Sequence, residues 1–375
     1  MNRLLATYLI DRNNNFNLIR FVAASMVLYS HSFALATGSI TGEPFVDILG
    51  MFVSNIAVDI FFVISGFLVT QSLLNRRNLI DFISARIFRI YPGLIVSVVF
   101  CVFIVGLYFT TLSMQSYLSD RETYRFLFKN SSLIFGLSDG YLPGVFENIP
   151  LKKAVNGSLW TLPLEIKMYA ILAFVGVILV GIKKWSGRNF FRQAIVALAF
   201  MAIMANIFNY FSPFMNRKLL HLFLMFFTGS AFYLLRNRIV MSNRLAAIMF
   251  SALLFALVAQ KGFLVLYVMF IAYLVIYLAF IPSGIIRQFN QLGDYSYGLY
   301  IYAFPVQQAI ASLIPGVSVR VMFMLSFIVT LFFAVLSWHF IEKKFLVYSR
   351  NLGATSGLGI FSTWSSRSEY DLISE

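Results

Sequence analysis

The chain has 375 residues, of which 60% are hydrophobic, 17% aromatic and only 12% charged, whereas about a quarter of residues are charged in soluble globular proteins. This composition, with apolar stretches recurring from Phe16 to Phe340, excludes a soluble fold and predicts an all-α integral membrane protein. The formal charge of +14 therefore reports on the sides of a bilayer rather than on nucleic acid, and no nucleic-acid partner is expected.

At the N-terminus, the apolar run after Arg20 ends in Ala34, Leu35 and Ala36, imitating a signal-peptide cleavage site. The long polar lead before it and His31 within it favour a retained first helix. A spanning helix needs about 20 mainly apolar residues. Ten segments qualify, near 17–37, 53–74, 90–110, 159–182, 193–211, 219–235, 245–260, 263–281, 296–313 and 321–341. The longest polar connection, Thr111 to Ser158, has room for a re-entrant or interfacial piece at Phe126 to Leu137. Residues 1–350 read as one membrane domain, and 351–375, rich in Ser and Gly, as a disordered cytoplasmic tail. Lys and Arg concentrate in alternate loops, such as Arg76–Arg89, Lys183–Arg192 and Arg236–Arg244, which places both termini in the cytoplasm. The one cysteine, Cys101, lies in an apolar run, which excludes a disulfide framework, and three scattered histidines argue against a metal centre.

Ionisable residues inside spanning helices are costly and mark sites by default. Arg20 and His31 are eleven residues apart, three turns plus about 20°, so they share one helix face and lie about 16–17 Å apart along the axis. A ligand anchored by negative charge at the cytoplasmic mouth would reach His31 only through a long thin arm. Coenzyme A has that shape. Arg86 and Arg89, three apart at the start of the third segment, suit phosphate groups, and their blander reading is a snorkelling positive-inside role. His31, Asp59 and Glu165 each lie about 9 Å below the outer end of their helices, which permits either a carboxylate-supported general base or a polar network that holds helices together. His221 and His339 fall near helix ends and read as interfacial.

These residues lie in a pattern that resembles the acyltransferase-3 family of membrane O-acyltransferases. Asn17-Leu-Ile-Arg20 leading to His31 resembles its arginine, ten residues, histidine motif. Asp59-Ile-Phe-Phe-Val-Ile-Ser65-Gly66-Phe67-Leu68 is similar to its second-helix signature, and Arg86-Ile-Phe-Arg89-Ile-Tyr91-Pro92 to its paired-arginine motif. Ser158-Leu-Trp160-Thr-Leu-Pro-Leu-Glu165 with Tyr169, then Tyr295-Ser-Tyr297-Gly-Leu-Tyr300, then Phe340-Ile-Glu342 resemble three later blocks in the same order. One departure is Ala303, where many members have histidine.

The resemblance implies transfer of an acyl group, usually acetyl, from cytoplasmic acyl-CoA to a hydroxyl of an extracytoplasmic glycan, such as a bacterial surface polysaccharide or a lipid-linked oligosaccharide. It implies His31 as the catalytic residue, with Asp59 and Glu165 in its support, and Arg20, Arg86 and Arg89 on the side of the donor, acetyl-CoA. Trp160, Tyr169, Ser65, Tyr297 and Tyr300 would line the substrate site, without a metal. The location implied is the bacterial cytoplasmic (inner) membrane. Two rivals remain at this stage, a polysaccharide or lipid-linked glycan transporter or flippase and a non-catalytic subunit of a glycan-assembly complex.

Overall fold

The computed structural model describes residues 3–9, 13–39, 42–76, 78–133, 140–213 and 215–355. It is about 78% helical, and the strands among the described residues are the two-residue β1 (Arg3–Leu4) and β2 (Val240–Met241), which pair antiparallel. Twelve helices among the described residues exceed ten residues; the last, Lys343–Thr355, continues from α11, and the others are α1 (Phe16–Thr37), α2 (Val53–Asn75), α3 (Leu79–Phe100), α4 (Arg121–Ser132), α5 (Leu162–Ser186), α6 (Phe191–Phe211), α7 (Arg217–Leu234), α8 (Asn243–Val258), α9 (Phe263–Phe280), α10 (Ser296–Leu313) and α11 (Val319–Ser337).

Each of the ten expected segments is helical. Seven helices among the described residues are long and apolar enough to cross a bilayer, formed by α1, α2, α3, α5, α6, α9 and α11 with their extensions. The other three fall short for separate reasons. Helix α8 has 16 residues. Helix α7 opens on Arg217, Lys218 and His221, and α10 carries Ser296, Gln307 and Gln308. Nearly every α10 side chain is buried, so protein surrounds it, and its apolarity is not dictated by lipid.

Several boundaries are corrected. The third segment starts at Leu79 rather than near residue 90, because Asn78 caps the helix by accepting from the Asp81 amide at 2.7 Å. Arg86 and Arg89 therefore sit inside α3 rather than at its start. A π-turn (Cys101–Gly106) carries α3 on to Phe109. Of the two forms expected for the long connection, re-entrant or interfacial, it holds the amphipathic surface helix α4, whose Asp120 caps its start; of the expected stretch, 134–137 lie outside the described residues. A second π-turn, Trp338–Glu342, carries α11 into a helix ending at Thr355. Helix thus enters the tail that was expected to be disordered, and residues 356–375 lie outside the described residues.

Two features set the helix positions around the site. Helices α2 and α7 touch backbone to backbone: a Cβ added at Gly66 would overlap the Phe226 carbonyl, and one at Gly229 the Val63 carbonyl. Small residues permit this approach in membrane bundles, and Ser230 Oγ donates across it to the Gly66 carbonyl at 3.2 Å. Asn15, 2% exposed, ties the start of α1 to the end of α9 by donating to the carbonyls of Leu278 and Pro282 at 3.0 and 2.9 Å.

Candidate active site

At one end of the bundle, where α1 and α10 begin, Asp294 gathers two of the expected donor-side arginines. Arg20 Nη1 donates to it at 2.8 Å and Arg89 Nη2 bonds the same carboxylate oxygen. The other oxygen accepts from Ser296 Oγ and from the Ser296 amide, capping α10. Burial favours the neutral acid, yet Arg20 and Arg89 outweigh it and hold the carboxyl well below the usual carboxylate range. Two snorkelling arginines would not converge on one buried acid.

Arg86 belongs to a second group. Its guanidinium lies 5.9 Å from the centre of the Tyr169 ring, Nη2 reaches Ser72 Oγ at 3.5 Å, and Nε is buried without a hydrogen-bond partner among the described residues. Tyr169 donates to Glu165 Oε1, which also accepts from Ser65 Oγ at 2.7 Å. Helices α2, α3 and α5 thus place Ser65, Arg86, Glu165 and Tyr169 in one cluster.

A narrow cavity of about 40 Å³ lies between these groups, lined by Arg20, Phe61, Glu165, Ser296, Tyr297, Tyr300 and Thr161. It touches Arg20 at one end of the bundle and, towards the other, a short 3₁₀ turn (Gly157–Thr161) that leads into α5. Tyr300 fixes that turn, donating to the Ser158 carbonyl at 2.7 Å and lying 2.7 Å from Thr161 Oγ1. Tyr297 ties α10 to α3 through the Ile90 carbonyl at 2.7 Å.

The same turn bridges to His31. Gly157 packs so closely against Phe304 that a Cβ would clash with its ring. Phe304 in turn meets the His31 ring edge to face at 5.4 Å. His31 Nδ1 is buried without a hydrogen-bond partner among the described residues. Such an atom costs ~1–3 kcal/mol unless something completes it.

Asp59 is elsewhere. It is 2% exposed on its side chain, receives His221 Nε2 at 2.9 Å on both oxygens, and accepts from Tyr267 at 2.8 Å. This group borders a pocket of about 370 Å³ with Trp160, Asn55, Asn206 and Lys218, formed where α2, α7 and α9 begin and α6 ends. The Lys218 ammonium sits 5.2 Å from the Trp160 ring centre.

These pairings correct the expectation of one network around His31. Asp59 joins His221, and Glu165 joins Ser65 and Tyr169. Among the described residues neither carboxylate bonds His31. Sequence reasoning missed Asp294, His221 and Tyr267, and also Glu43, which accepts from Ser30, the neighbour of His31, and from the Val53 amide at 2.8 Å. His221 carried a readable signal, being eight residues before Gly229 as Asp59 is seven before Gly66.

The fold defines an all-α membrane protein with charged clusters buried between its helices. The chain belongs to the acyltransferase-3 family: the family's acyltransferase domain matches residues 13–339. It is similar to the O-acetyl transferase of Shigella phage Sf6, 30% identical over 91% of this chain and 98% of that protein. It also resembles Nodulation protein 10 of Rhizobium leguminosarum bv. viciae, 30% identical over 54% of each chain. No solved structure matches it. As an O-acyltransferase, it leaves the transporter and non-catalytic readings without support.

Proposed function

We propose that the protein transfers an acetyl group from cytoplasmic acetyl-CoA to a hydroxyl of an extracytoplasmic glycan, a surface polysaccharide or a lipid-linked precursor, in the bacterial cytoplasmic membrane. Ten crossings and cytoplasmic termini complete this reading. The observation that carries it is the meeting of Arg20 and Arg89 on one buried carboxylate, with Arg20 also lining a narrow cavity that reaches Thr161; a slender arm would enter there as the lining side chains part. In this reading Arg20, Arg86 and Arg89 receive the donor phosphates, bidentate guanidinium contacts being well matched to them. Arg20 and Arg89 already share Asp294, so Arg86 has the most unused capacity.

His31 is the catalytic residue of this proposal. Either its ring takes the acceptor hydroxyl proton while that oxygen attacks the thioester carbon and the thiolate leaves, or it accepts the acyl group first and passes it on. Glu165, Tyr169 and Ser65 hold the middle of the passage, Tyr297 and Tyr300 its wall, while Asp59 and Trp160 act at the acceptor end. The test compares surface glycan, by mass spectrometry and NMR, from cells carrying the wild-type chain, His31→Ala or neither. The variant should reach the membrane at wild-type level and add no acetyl groups. Wild-type acetylation by His31→Ala would overturn the assignment.

A further inference from the structure

The pocket beside Trp160 also holds His221 and Asn206, to which the acyl-transfer reading so far gives no role. Asp59 is buried and accepts from both Tyr267 and His221 Nε2. A carboxylate can only accept, so in the neutral imidazole Nε2 carries the proton and Nδ1 is left with the lone pair. The His221 side chain is 28% exposed, and the residue lines the pocket. Asn206 donates its amide hydrogens to the carbonyls of Ala202 and Leu220 at 2.8 and 3.1 Å, which leaves Oδ1 as its acceptor. Asn55, exposed at the start of α2, adds a further amide. The polar side of the pocket therefore sets the acceptors of His221 and Asn206 beside the donors of Arg217 and Lys218, while Trp160 and Val58 supply an apolar side.

A ligand that matches both sides carries several hydroxyls, each able to donate and to accept, on its edge and C–H bonds on its face. We propose that this pocket is the acceptor subsite, that it takes a hexose-sized ring, and that a ring hydroxyl donates to Nδ1 of His221, which Asp59 holds in the required tautomer. The inference rests on the acyl-transfer reading. The volume of about 370 Å³ lies at the lower end of the ~300–1,000 Å³ range of small-molecule pockets and suits a saccharide unit. A fatty chain would leave the histidine and asparagine acceptors unpaired. Val58 lines both this pocket and the narrow cavity, and Trp160 and Thr161 are consecutive residues lining one and the other. The sugar would thus sit where the passage from the arginines ends.

The experiment places Asn55→Cys in a Cys101→Ser background and measures its labelling by a membrane-impermeant maleimide in intact spheroplasts. The probes are methyl hexosides and methyl hexuronosides at millimolar concentration. At least one should slow labelling several-fold. His221→Gln keeps an amide N–H to donate to Asp59, while its acceptor, Oε1, no longer stands where Nδ1 did, so it should weaken that protection about tenfold, as loss of one hydrogen bond does. If His221→Gln does not accumulate, Trp160→Phe, which leaves the Asp59–His221 pair in place, should also weaken it. Protection that both variants leave unchanged, or no protection by any glycoside, overturns the subsite. Consumption of acetyl-CoA by permeabilised wild-type membranes is measured in parallel. Consumption without protection removes the subsite alone, whereas no consumption removes the acyl-transfer reading.

Discussion

Replacing Asp294 by Asn keeps the side-chain shape and deletes the charge that two guanidinium groups share. The Asp294 side chain is 6% exposed, against 21% for Arg20 and 16% for Arg89. Removing one partner of a buried ion pair costs ~3–5 kcal/mol because the remaining charge stays uncompensated. Here the arginines keep some solvent, and Glu342 also acts on Arg89, which puts the cost near ~3 kcal/mol. That is roughly a hundredfold in the folded ratio. Cys101 provides the assay, being the one thiol in the chain and fully buried. Detergent-purified protein warmed with a thiol-reactive fluorophore labels as the bundle opens, and Asp294→Asn should melt several degrees below wild type. Adding Arg20→Gln should recover part of the loss, since the stranded cation is then gone. The carboxyl is held below its ordinary range when folded. Its contribution is therefore fully present above the unfolded value of ~3.9 and fades only as pH falls through the lower folded value. The gap between wild type and variant should stay constant from about pH 5 to 8. A midpoint equal to that of wild type, or a gap that closes near neutrality, would refute the three-way pairing.

Arg86→Gln should cost about 1 kcal/mol or less, since its one hydrogen bond among the described residues is the long contact to Ser72. It should nevertheless raise the apparent acetyl-CoA KM several-fold in membranes, and an unchanged KM would return Arg86 to a purely electrostatic role. Gly229→Ala should cost ~1–3 kcal/mol by forcing α7 off α2 and should lower acyl transfer by parting His221 from Asp59. Gly181→Ala, whose Cβ meets nothing within 4 Å, serves as the neutral control on both melting and activity. In a Cys101→Ser background, Ser39→Cys should react with an impermeant maleimide added outside, and Arg188→Cys only after permeabilisation; the reverse pattern would invert the proposed topology. Both positions are exposed, whereas the buried cap Asn78 would report on folding instead.

The helices were legible because a bilayer imposes one strong rule, a long apolar stretch with its backbone bonds satisfied internally. Every expected segment is helical for that reason. Boundaries were less legible where local chemistry competes with hydropathy. At Asn78 a side-chain cap extends α3 through a polar turn that hydropathy discards. At Cys101–Gly106 and Trp338–Glu342 the chain takes π-turns that hydropathy does not distinguish from α-helix, the first beside Tyr117, whose hydroxyl donates to the Val102 carbonyl at 3.0 Å.

The buried ionisable residues were legible in the sequence, and their pairing was not. Depth along a helix follows from counting residues, so Arg20 and His31 were correctly separated along α1. Which helix faces which is set by contacts that counting does not see. Gly66 and Gly229 bring α2 and α7 together in parallel, and two turns before that contact Asp59 and His221 must meet, since both lie seven or eight residues away in the same direction. Depth alone allowed Asp59 to join His31, and the small-residue contact assigned it to His221. The same physical logic applies at the other end. Two arginines inside a low-dielectric bundle require a carboxylate, and the acid nearest the start of a helix that must be capped, Asp294 before Ser296, meets both needs at once. Buried charge is therefore best read from a membrane sequence as a balance to be closed between helices, with small residues indicating which helices can close it.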